Sequence, residues 1–410
     1  MAHFQAHTLK GTFVPRSTFY NSPFGRMFAK VDPWVPHGAS EAAKEEVIRL
    51  FAETRMFKPE GADTPDDNPD LPAGYTYLGQ FIDHDITFDP TSSLQRQNDP
   101  NRLRNFRTPR LDLDCVYGAG PDDQPYLYDT RIKNRDGFAG YLLIGNGTNP
   151  KEPDLPRNSL ETALIGDMRN DENTIVSQLQ LAFLKLHNRV LASIVGDAAN
   201  PVPASKEQFQ EAQRIVRWFY QYVVWNDFVK RLVSNSLHAD VLKKDDGIFK
   251  LNTRFYKWKQ APYIPVEFSV AAYRFGHSLV RPGYQVNATS AFGFGHELPI
   301  FAAPGTPKPD DREIELRGFR RLPASATMQW DWFFQLPSTG GPFPQASQKI
   351  DPILARSVFH VPGGPETPGG PETTNPLATL NIRRGWRMEL PSGTGVAKAM
   401  GVNPLDVDPT

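Results

Sequence analysis

The clearest hydrophobic pattern in the chain is that of an amphipathic helix between Asn173 and Val195. Its apolar residues recur three or four positions apart and share one helical face: Ile175, Leu179, Ala182, Phe183, Leu186 and Val190. Acidic and Asn residues at 171–173 stand at its start, where they complement the free N–H groups of a first helical turn. We therefore predict a helix that begins at about residue 173.

Similar spacing predicts three further helices. One runs over Gln208–Leu232, and two shorter ones run over Gly79–Ile86 and Val270–Val280, the last of which is ended by Pro282. The alternation of apolar and polar residues that is typical of strands is scarce. The predicted fold class is mainly α, a single helical domain with long loops and little β structure.

The proline content predicts those long loops. The chain has 38 prolines among 410 residues, a share nearly twice the average usage, which excludes a simple helical bundle with short connections. Segments 58–73, 302–312 and 362–373 are rich in proline, and the last is a tandem PGGPET repeat, so we predict surface loops there. No shift in composition separates two domains. We divide the chain into an N-terminal extension (1–74), a main domain (75–401) and a tail (402–410).

Charge and cysteine content exclude several classes of protein. The chain has 45 Lys and Arg residues and 46 Asp and Glu residues, so nothing favours nucleic acid or an anionic membrane as a partner. A single cysteine, Cys115, excludes an intrachain disulfide. The first residues lack the pattern of a signal peptide, and no stretch has the roughly 20 apolar residues that span a bilayer. We therefore expect a cytoplasmic location by default, with leaderless secretion as the alternative.

Two segments carry polar residues at chemically suggestive spacing. In 77–85 (YLGQFIDHD), Gln80 and His84 share a helical face, and the neighbouring carboxylates point about 100° to either side of His84. The alternative is a solvated acidic helix, and the segment alone favours neither. In 108–118 (TPRLDLDCVYG), a threonine and two aspartates could supply oxygen ligands to a hard cation such as calcium, or lie on the edge of a strand.

Three more segments are weaker when each is taken alone. In 166–173 (GDMRNDEN), Arg169 lies just before a helix start, where an anion would be favoured, although ordinary capping explains the segment better. His277 in 273–279 (YRFGHSL) lies on an apolar helix, where most histidines are core residues. Asn381 in 380–385 (LNIRRG) precedes two arginines, which indicates a turn or a hydrogen-bond partner beside an anionic ligand.

Taken together and in this order, the five segments resemble the animal-type haem peroxidases of the peroxidase–cyclooxygenase superfamily, which includes myeloperoxidase and lactoperoxidase, and especially their compact bacterial members. The resemblance extends from about residue 75 to about residue 401, and five ordered motifs are far more specific than one. It implies an oxidoreductase of the oxidative-stress response that reduces hydrogen peroxide and, through a ferryl intermediate, oxidises bromide, iodide, thiocyanate or a phenol.

The resemblance also implies a role for each residue at the two faces of the haem. His84 would be the distal acid–base, Arg169 would stabilise the charge that develops as the O–O bond breaks, and Gln80 would hold a distal water or halide. His277 would ligate the haem iron, with its second ring N–H bonded to Asn381. Among the remaining cofactor-binding residues, Arg384 would pair with a haem propionate.

Two further features of the cofactors follow from the resemblance. Asp83 and Glu172 match the carboxylates that form esters with the haem of the mammalian enzymes, so haem b could be linked through one or both. Asn173 stands where myeloperoxidase has the methionine of its sulfonium link, so that link cannot form here and strong chloride oxidation is not expected. A structural calcium ion would be bound by the following set of ligands: Asp85, Thr108, Asp112, Asp114 and the carbonyl of Arg110.

Alternatives within and outside this family remain open. The runner-up is a fatty-acid oxygenase of the cyclooxygenase or α-dioxygenase type, but the tyrosine that these enzymes use three residues before the proximal histidine is Arg274 here, with Tyr273 beside it. A non-catalytic haem- or calcium-binding protein would need neither His84 nor Arg169. A zinc hydrolase is more remote because no HExxH motif is present. The electron donor and the oligomeric state do not follow from the sequence.

Overall fold

A computed structural model of the chain describes residues 22–57, 67–88, 104–196, 201–258, 262–288, 297–301, 315–336, 344–361 and 375–404. Its α-helices are α1 (Glu41–Arg55), α2 (Gly74–Ile86), α3 (Asp114–Tyr117), α4 (Thr174–Val195), α5 (Lys206–Val223), α6 (Lys230–Leu232), α7 (Asn235–Val241), α8 (Arg356–Phe359), α9 (Leu377–Arg387) and α10 (Gly393–Met400). The mainly α fold class is thereby confirmed.

The strands are short and form antiparallel pairs. They are β1 (Ser22–Pro23) with β3 (Arg104–Asn105), β2 (Asp67–Pro72) with β10 (Ala346–Gln348), β4 (Gly145–Asn146) with β5 (Pro153–Asp154), β6 (Leu242–Asp245) with β7 (Ile248–Leu251), β8 (Gly283–Tyr284) with β9 (Leu298–Pro299), and β11 (His360–Val361) with β12 (Asn375–Pro376).

Three of the four predicted helices are confirmed. Helix α4 begins at Thr174, and the side chain of Asn173 caps it by accepting a 2.9 Å hydrogen bond from Val176 N–H. The Gln208–Leu232 prediction corresponds to α5, a π-helical segment (Val224–Val229) and α6. Helix α2 begins five residues before the predicted Gly79.

The predicted helix over Val270–Val280 is wrong in form. The structure has a π-turn (Glu267–Ala271) followed by a 3₁₀ turn (Ala272–His277), with a backbone break at Ala271, where φ is −123° and ψ is −73°. A break of this kind re-aims side chains, and such irregular turns are frequent at functional sites. Apolar spacing alone does not distinguish these tight and wide turns from an α-helix.

The loop prediction for 58–73 is also wrong over Asp67–Pro72, which is strand β2. The acidic, proline-rich composition argued against a strand, but pairing with β10 satisfies its backbone, and the register shifts between Ala346 and Ser347. Residues 58–66 of that segment, and the predicted loops at 302–312 and 362–373, lie outside the described residues.

Aromatic residues of α2, α4 and α5 pack together in the core. Phe81 of α2 stacks on Phe183 of α4 with their ring centroids 4.7 Å apart, and Tyr220 of α5 packs edge-on against both. All three side chains are buried. Aromatic packing of this kind fixes the position of α2, which is the helix that carries His84.

Helix α1 packs against α9. Arg383 of α9 donates to Glu45 of α1 at 2.5 Å, and Arg387 of α9 bonds Glu41 and Glu45. Beneath these ion pairs, Ala52 of α1 packs in an apolar cluster with α9. None of the described helices is long and apolar enough to cross a membrane.

Candidate functional site

Helix α2 buries polar side chains that would be expensive to bury without partners. His84 and Asp85 are buried, whereas Gln80 and Asp83 keep some exposure although their helix lies in the core. The helix ends at Ile86, and the capping residue Thr87 donates its hydroxyl to the Asp83 carbonyl at 2.8 Å. Because each buried polar group needs a partner, the neighbours of α2 determine what these residues can do.

His84 is held by a chain of amides. Its Nδ1 lies 2.7 Å from Oδ1 of Asn170, the Nδ2 of Asn170 donates to Oε1 of Gln180 at 2.8 Å, and the Nε2 of Gln180 donates to the carbonyl of Cys115 at 3.1 Å. Burial, together with the nearby cation Arg169, lowers the pKa of His84 to about 4. The imidazole is therefore neutral at physiological pH and has one nitrogen available as a base.

Arg169 is fixed beside His84 by a bidentate ion pair. Its Nε and Nη2 donate to the two oxygens of Asp167 at 3.0 and 2.8 Å, and Nη2 also reaches the carbonyls of His84 and Thr87 at 2.9 and 2.6 Å. Asp167 pairs in addition with buried Arg107 at 2.7 Å. Burial alone would raise the pKa of Asp167, but the two arginines outweigh it and lower that pKa well below the usual range. The guanidinium of Arg169 is thus anchored by a permanent carboxylate at the end of α2.

Gln80 is bonded at both ends of its amide. Its Nε2 donates to Oε1 of Glu172, and its Oε1 accepts from the Nδ2 of Asn173 at 3.0 Å. Asn173 makes this contact with the side chain that also caps α4. The structure therefore brings together Gln80, Glu172 and Asn173. Whether Gln80 also holds a distal water or halide stays a prediction.

Glu172 is a candidate for titration near neutral pH. Burial, opposed by Arg169, raises its pKa to about 7. A glutamate whose folded pKa exceeds its unfolded pKa of about 4.5 retains a proton that the unfolded chain releases, so stability decreases as pH rises from about 4.5 to about 7.

We expect Glu172→Gln to remove that part of the pH dependence in the haem-free protein. The free energy of unfolding of the native chain should fall relative to that of the variant by at most about 3 kcal/mol across this interval. Urea denaturation at several pH values measures the difference. Glu53→Gln, on the exposed side of α1, is the matched control. Parallel curves for the native chain and Glu172→Gln would contradict the assignment.

The proximal segment brings His277 and Asn381 together as predicted from the motifs. The Nδ1 of His277 lies 2.9 Å from the amide nitrogen of Asn381, and a 180° rotation of that amide places its oxygen there instead. The rotated form is the one that leaves Nε2 free to ligate a metal. Asn381 and Arg384 are three residues apart on α9 and share a face, while Arg383 and Arg387 turn toward α1.

The same charged residues act on Glu172, beside α2, and on His277, in the proximal segment. Arg274 and Asp83 each affect the pKa values of both Glu172 and His277. Burial and then Arg274 lower the pKa of His277 to about 3, so this ring is also neutral. Glu172 and His277 are nevertheless partly exposed, so neither side chain is fully covered by protein atoms.

The turn that carries His277 lies against α2 and leaves open space beside Gly276. The hydroxyl of Tyr273 donates to the carbonyl of Gly79 at 3.0 Å and so ties the proximal turn to α2. A Cβ built on Gly276, next to His277, would meet no atom within 4 Å. A neutral His277 with open space beside it fits the requirements of a haem ligand, and the neutral His84 on α2 fits those of a base.

The predicted calcium ligands converge only in part. Asp85, Asp112 and Asp114 are buried, and burial followed by the charge of Asp114 raises the pKa of Asp85 to about 6 and that of Asp112 above its usual range. One oxygen each of Asp85 and Asp112 has no hydrogen-bond partner. In the described part of the chain, however, no group of three His, Cys, Asp or Glu side chains is close enough to form a metal site by itself.

The remaining two predicted calcium ligands have partners of their own. The hydroxyl of Thr108 donates to Asp112 at 2.8 Å, and the carbonyl of Arg110 accepts from Gln221 at 3.0 Å. Leu111 and Leu113 have φ values of 56° and 58°, which is strained for leucine. A loop with strained backbone and unpartnered carboxylate oxygens has the donor chemistry that calcium requires.

Several residues of the site were not singled out in the sequence. Asp167 and Arg107 hold Arg169, while Asn170 and Gln180 hold His84. Asp167 lies two residues before Arg169, which is a usable signal for an ion pair. Gln180 gave a different signal, a polar residue flanked one turn away on either side by Val176 and Leu184, where burial requires a specific partner.

The chain is similar in sequence to known peroxidases. Thyroid peroxidase of Sus scrofa is 27% identical over an aligned stretch of 218 residues, which covers 50% of this chain and 22% of the relative. The peroxidase-like protein of Margaritifera margaritifera is 33% identical over 256 residues, which cover 50% of this chain and 31% of the relative. The chain thus spans less than a third of the length of these curated relatives.

Solved structures show the fold over nearly the whole chain. Peroxidase A of Dictyostelium discoideum has a TM-score of 0.58 at 14% identity and covers 95% of this chain and 76% of its own. The fatty acid alpha-dioxygenase of Arabidopsis thaliana has a TM-score of 0.57 at 18% identity and covers 94% and 62%. The two similarities are nearly equal, so the fold does not separate the two activities.

The family match is more specific. The sequence profile of animal haem peroxidase matches residues 91–306, more than half of the chain. That stretch contains the segments of Thr108, Arg169 and His277, with His84 shortly before it and Asn381 beyond it. The chain belongs to the animal haem peroxidase family.

Proposed function

We propose that this protein reduces hydrogen peroxide with a haem held between His84 and His277 and oxidises a small donor such as bromide, iodide, thiocyanate or a phenol. The observation that carries the proposal is the pairing of a neutral, amide-bonded His84 with the anchored guanidinium of Arg169. A protein that only stored haem would need neither the free base nor the adjacent cation.

The chain supplies proton transfer and charge stabilisation. Haem, when bound, supplies the iron that receives peroxide and the redox equivalents that the donor returns. The free nitrogen of His84 would take the proton from one peroxide oxygen and deliver it to the departing oxygen. Arg169 would stabilise the negative charge on that oxygen, and its position is preorganised because Asp167 already neutralises and orients it.

The same proposal assigns the residues that hold the cofactor. Haem b would be ligated by His277, with Asn381 as the acceptor of the second ring N–H, and Arg384 would pair with a propionate. Asp83 and Glu172 would be the positions of ester links, which need peroxide turnover to form. Mass spectrometry of the extracted cofactor tests this part, because unmodified haem b would mean that neither ester is present.

The proposed activity is tested with the purified protein supplied with haem. We expect a Soret band, its loss in His277→Ala, and peroxide-dependent oxidation of bromide or a phenol. Absence of a Soret band in the native chain would overturn the proposal. A Soret band without oxidation of any donor would favour the non-catalytic alternative.

The Asn381 amide is expected to set the redox potential. An amide oxygen carries less negative charge than a carboxylate and keeps the imidazole of His277 neutral. Asn381→Asp should therefore lower the Fe(III)/Fe(II) potential, which spectroelectrochemical titration measures. Asn381→Gln is the control that keeps the amide. An unchanged or higher potential in the aspartate variant would contradict the assigned contact.

We also propose that calcium binds Asp85, Thr108, Asp112, Asp114 and the Arg110 carbonyl. The two carboxylate oxygens without partners and the strained loop support this ligand set. Because Asp85 adjoins His84, the ion would hold the distal helix against the loop. Its role would be structural support of the distal histidine.

Removal of calcium should reduce peroxidase activity before the protein unfolds. Chelation releases Asp85, so His84 loses its fixed position while the aromatic core of α2, α4 and α5 stays packed. Activity and far-UV circular dichroism are followed together during chelator titration, and calcium is added back as the control. Simultaneous loss of both signals, or no loss of activity, would contradict this role.

A fatty-acid oxygenase is the second candidate because of the similarity to the alpha-dioxygenase fold. The position three residues before His277 is Arg274, whose Nε donates to the carbonyl of Ser269 at 3.0 Å. Tyr273, beside it, is bonded to α2. The absence of a tyrosine at the position that the oxygenases use favours the peroxidase. Oxygen uptake with a fatty acid would reverse that preference.

A further inference from the structure

We propose that Asn170 and Gln180 are positioning residues that fix His84 in one tautomer, with the proton on Nδ1 and the lone pair on Nε2. The inference rests on the proposed function for its catalytic meaning, although the tautomer itself can be measured without haem. It assigns a function to two buried amides that belong to neither the haem ligands nor the calcium ligands.

The Cys115 carbonyl sets the direction of all three hydrogen bonds that connect it, through Gln180 and Asn170, to His84. A backbone carbonyl can only accept, so the carbonyl of Cys115 must face the NH₂ group of Gln180. The oxygen of Gln180 then faces Asn170 and accepts from its NH₂ group. The oxygen of Asn170 is left to accept from His84, which must donate from Nδ1.

Reversing either amide alone would create repulsion: a turned Asn170 repels Gln180, and a turned Gln180 repels both of its partners. If Asn170 were turned round, its NH₂ group would face the ring and its oxygen would face the oxygen of Gln180. If Gln180 were turned as well, its oxygen would face the carbonyl of Cys115. Three hydrogen bonds therefore transmit one choice of direction from the backbone to the imidazole ring.

Burial protects this direction from competition with water. Asn170, Gln180 and Cys115 are 0% exposed and His84 is 5% exposed. In such an environment an unsatisfied amide is costly, so the fully bonded arrangement is strongly preferred. A solvent-exposed asparagine would rotate freely and select no tautomer.

We call the hydrogen-bonded series Cys115 carbonyl–Gln180–Asn170–His84 the relay. The backbone around it is also closely packed. A Cβ added at Gly166 would lie 2.5 Å from the carbonyl oxygen of Asp114 and 2.6 Å from that of Cys115. The segment that carries Asn170 therefore lies directly against the turn that supplies the last acceptor. This packing keeps the 2.7 Å contact to His84 in a fixed direction as well as a fixed polarity.

The tautomer is measured in the haem-free protein labelled with ¹⁵N-histidine, at a pH where His84 is neutral. Two-bond ¹H–¹⁵N correlations distinguish the two ring nitrogens, and His84→Gln assigns the signal. We expect the native chain to show His84 with its proton on Nδ1. A proton on Nε2 in the native chain would overturn the proposal without the need for any variant.

A matched pair of variants tests the role of Gln180. Gln180→Met removes both hydrogen bonds at nearly constant size, and we expect His84 to become a mixture of the two tautomers. Gln180→Glu, kept protonated by its complete burial, can donate its O–H to the Cys115 carbonyl and present its other oxygen to Asn170, so it should keep the proton on Nδ1. An unchanged tautomer in Gln180→Met, or a mixture in both variants, would show that the relay does not set the ring.

The haem-loaded variants connect the tautomer to the proposed reaction. The second-order rate constant with peroxide should fall roughly tenfold or more in Gln180→Met and recover in Gln180→Glu, while the Soret band and haem affinity stay unchanged. Equal rate constants in the two variants would overturn the catalytic part. Absence of haem binding by the native chain would instead contradict the proposed function and leave the tautomer result intact.

Discussion

His84→Gln is expected to lower the second-order rate constant of the reaction with peroxide by about 10²- to 10⁴-fold. Glutamine can still fill the space and bond Asn170, but it cannot take a proton from peroxide and return it to the leaving oxygen. Haem binding should persist because His277 lies on the other side of the site. The loss therefore concerns proton transfer and leaves cofactor binding intact.

Stopped-flow absorbance in the Soret region measures this rate constant. The control is His238→Gln, since His238 stacks on Trp225 and bonds its carbonyl, away from the site. A His84 variant that reacts as fast as the control would place the acid–base function elsewhere. Glu172, whose pKa is about 7, would then be the next residue to replace.

The sequence predicted those helices whose apolar residues face one core. Helix α4 was predicted to within a residue of its start because Asn173 is both the end of the polar segment and the capping residue. The turns before His277 were missed in form because π and 3₁₀ turns place apolar residues at spacings close to those of an α-helix. Long-range pairing explains the other failure, at β2, since its partner lies far along the chain.

The candidate site was predicted at the level of residue types and motif order. The structure brings His277 to Asn381 and Arg169 to the end of α2, as those motifs indicated. The partners that orient these residues could not be read from spacing. Asn170 and Gln180 are ten residues apart in sequence and meet only because a 3₁₀ turn precedes α4.

The proposed calcium loop and the distal histidine are connected twice in this structure. Asp85 follows His84 directly in the chain and accepts from Leu113 N–H at 3.3 Å. The relay starts at the carbonyl of Cys115, one residue after Asp114. Disturbance of the loop would therefore affect both the position of α2 and the last acceptor of the relay. Chelation should shift the tautomer of His84 if both connections operate together.

Asp167→Asn is expected to destabilise the protein by about 3–5 kcal/mol, because it leaves a buried arginine without its carboxylate. The Arg107–Asp167 pair has side-chain exposures of 7% and 0%, so water cannot replace the lost partner. The same substitution weakens the bidentate contact to Arg169, and the reaction with peroxide should slow in the fraction that remains folded.

Urea denaturation gives the change in the free energy of unfolding, and stopped-flow measurement below the transition gives the rate constant. Asp129→Asn is the matched control, because its partner Arg131 is 77% exposed and such a pair contributes at most about 1 kcal/mol. If both variants lost the same small amount, the buried pair would not support the fold. If the free energy of unfolding fell but the rate constant did not, the carbonyls of His84 and Thr87 at the end of α2 would be sufficient to hold Arg169 in place.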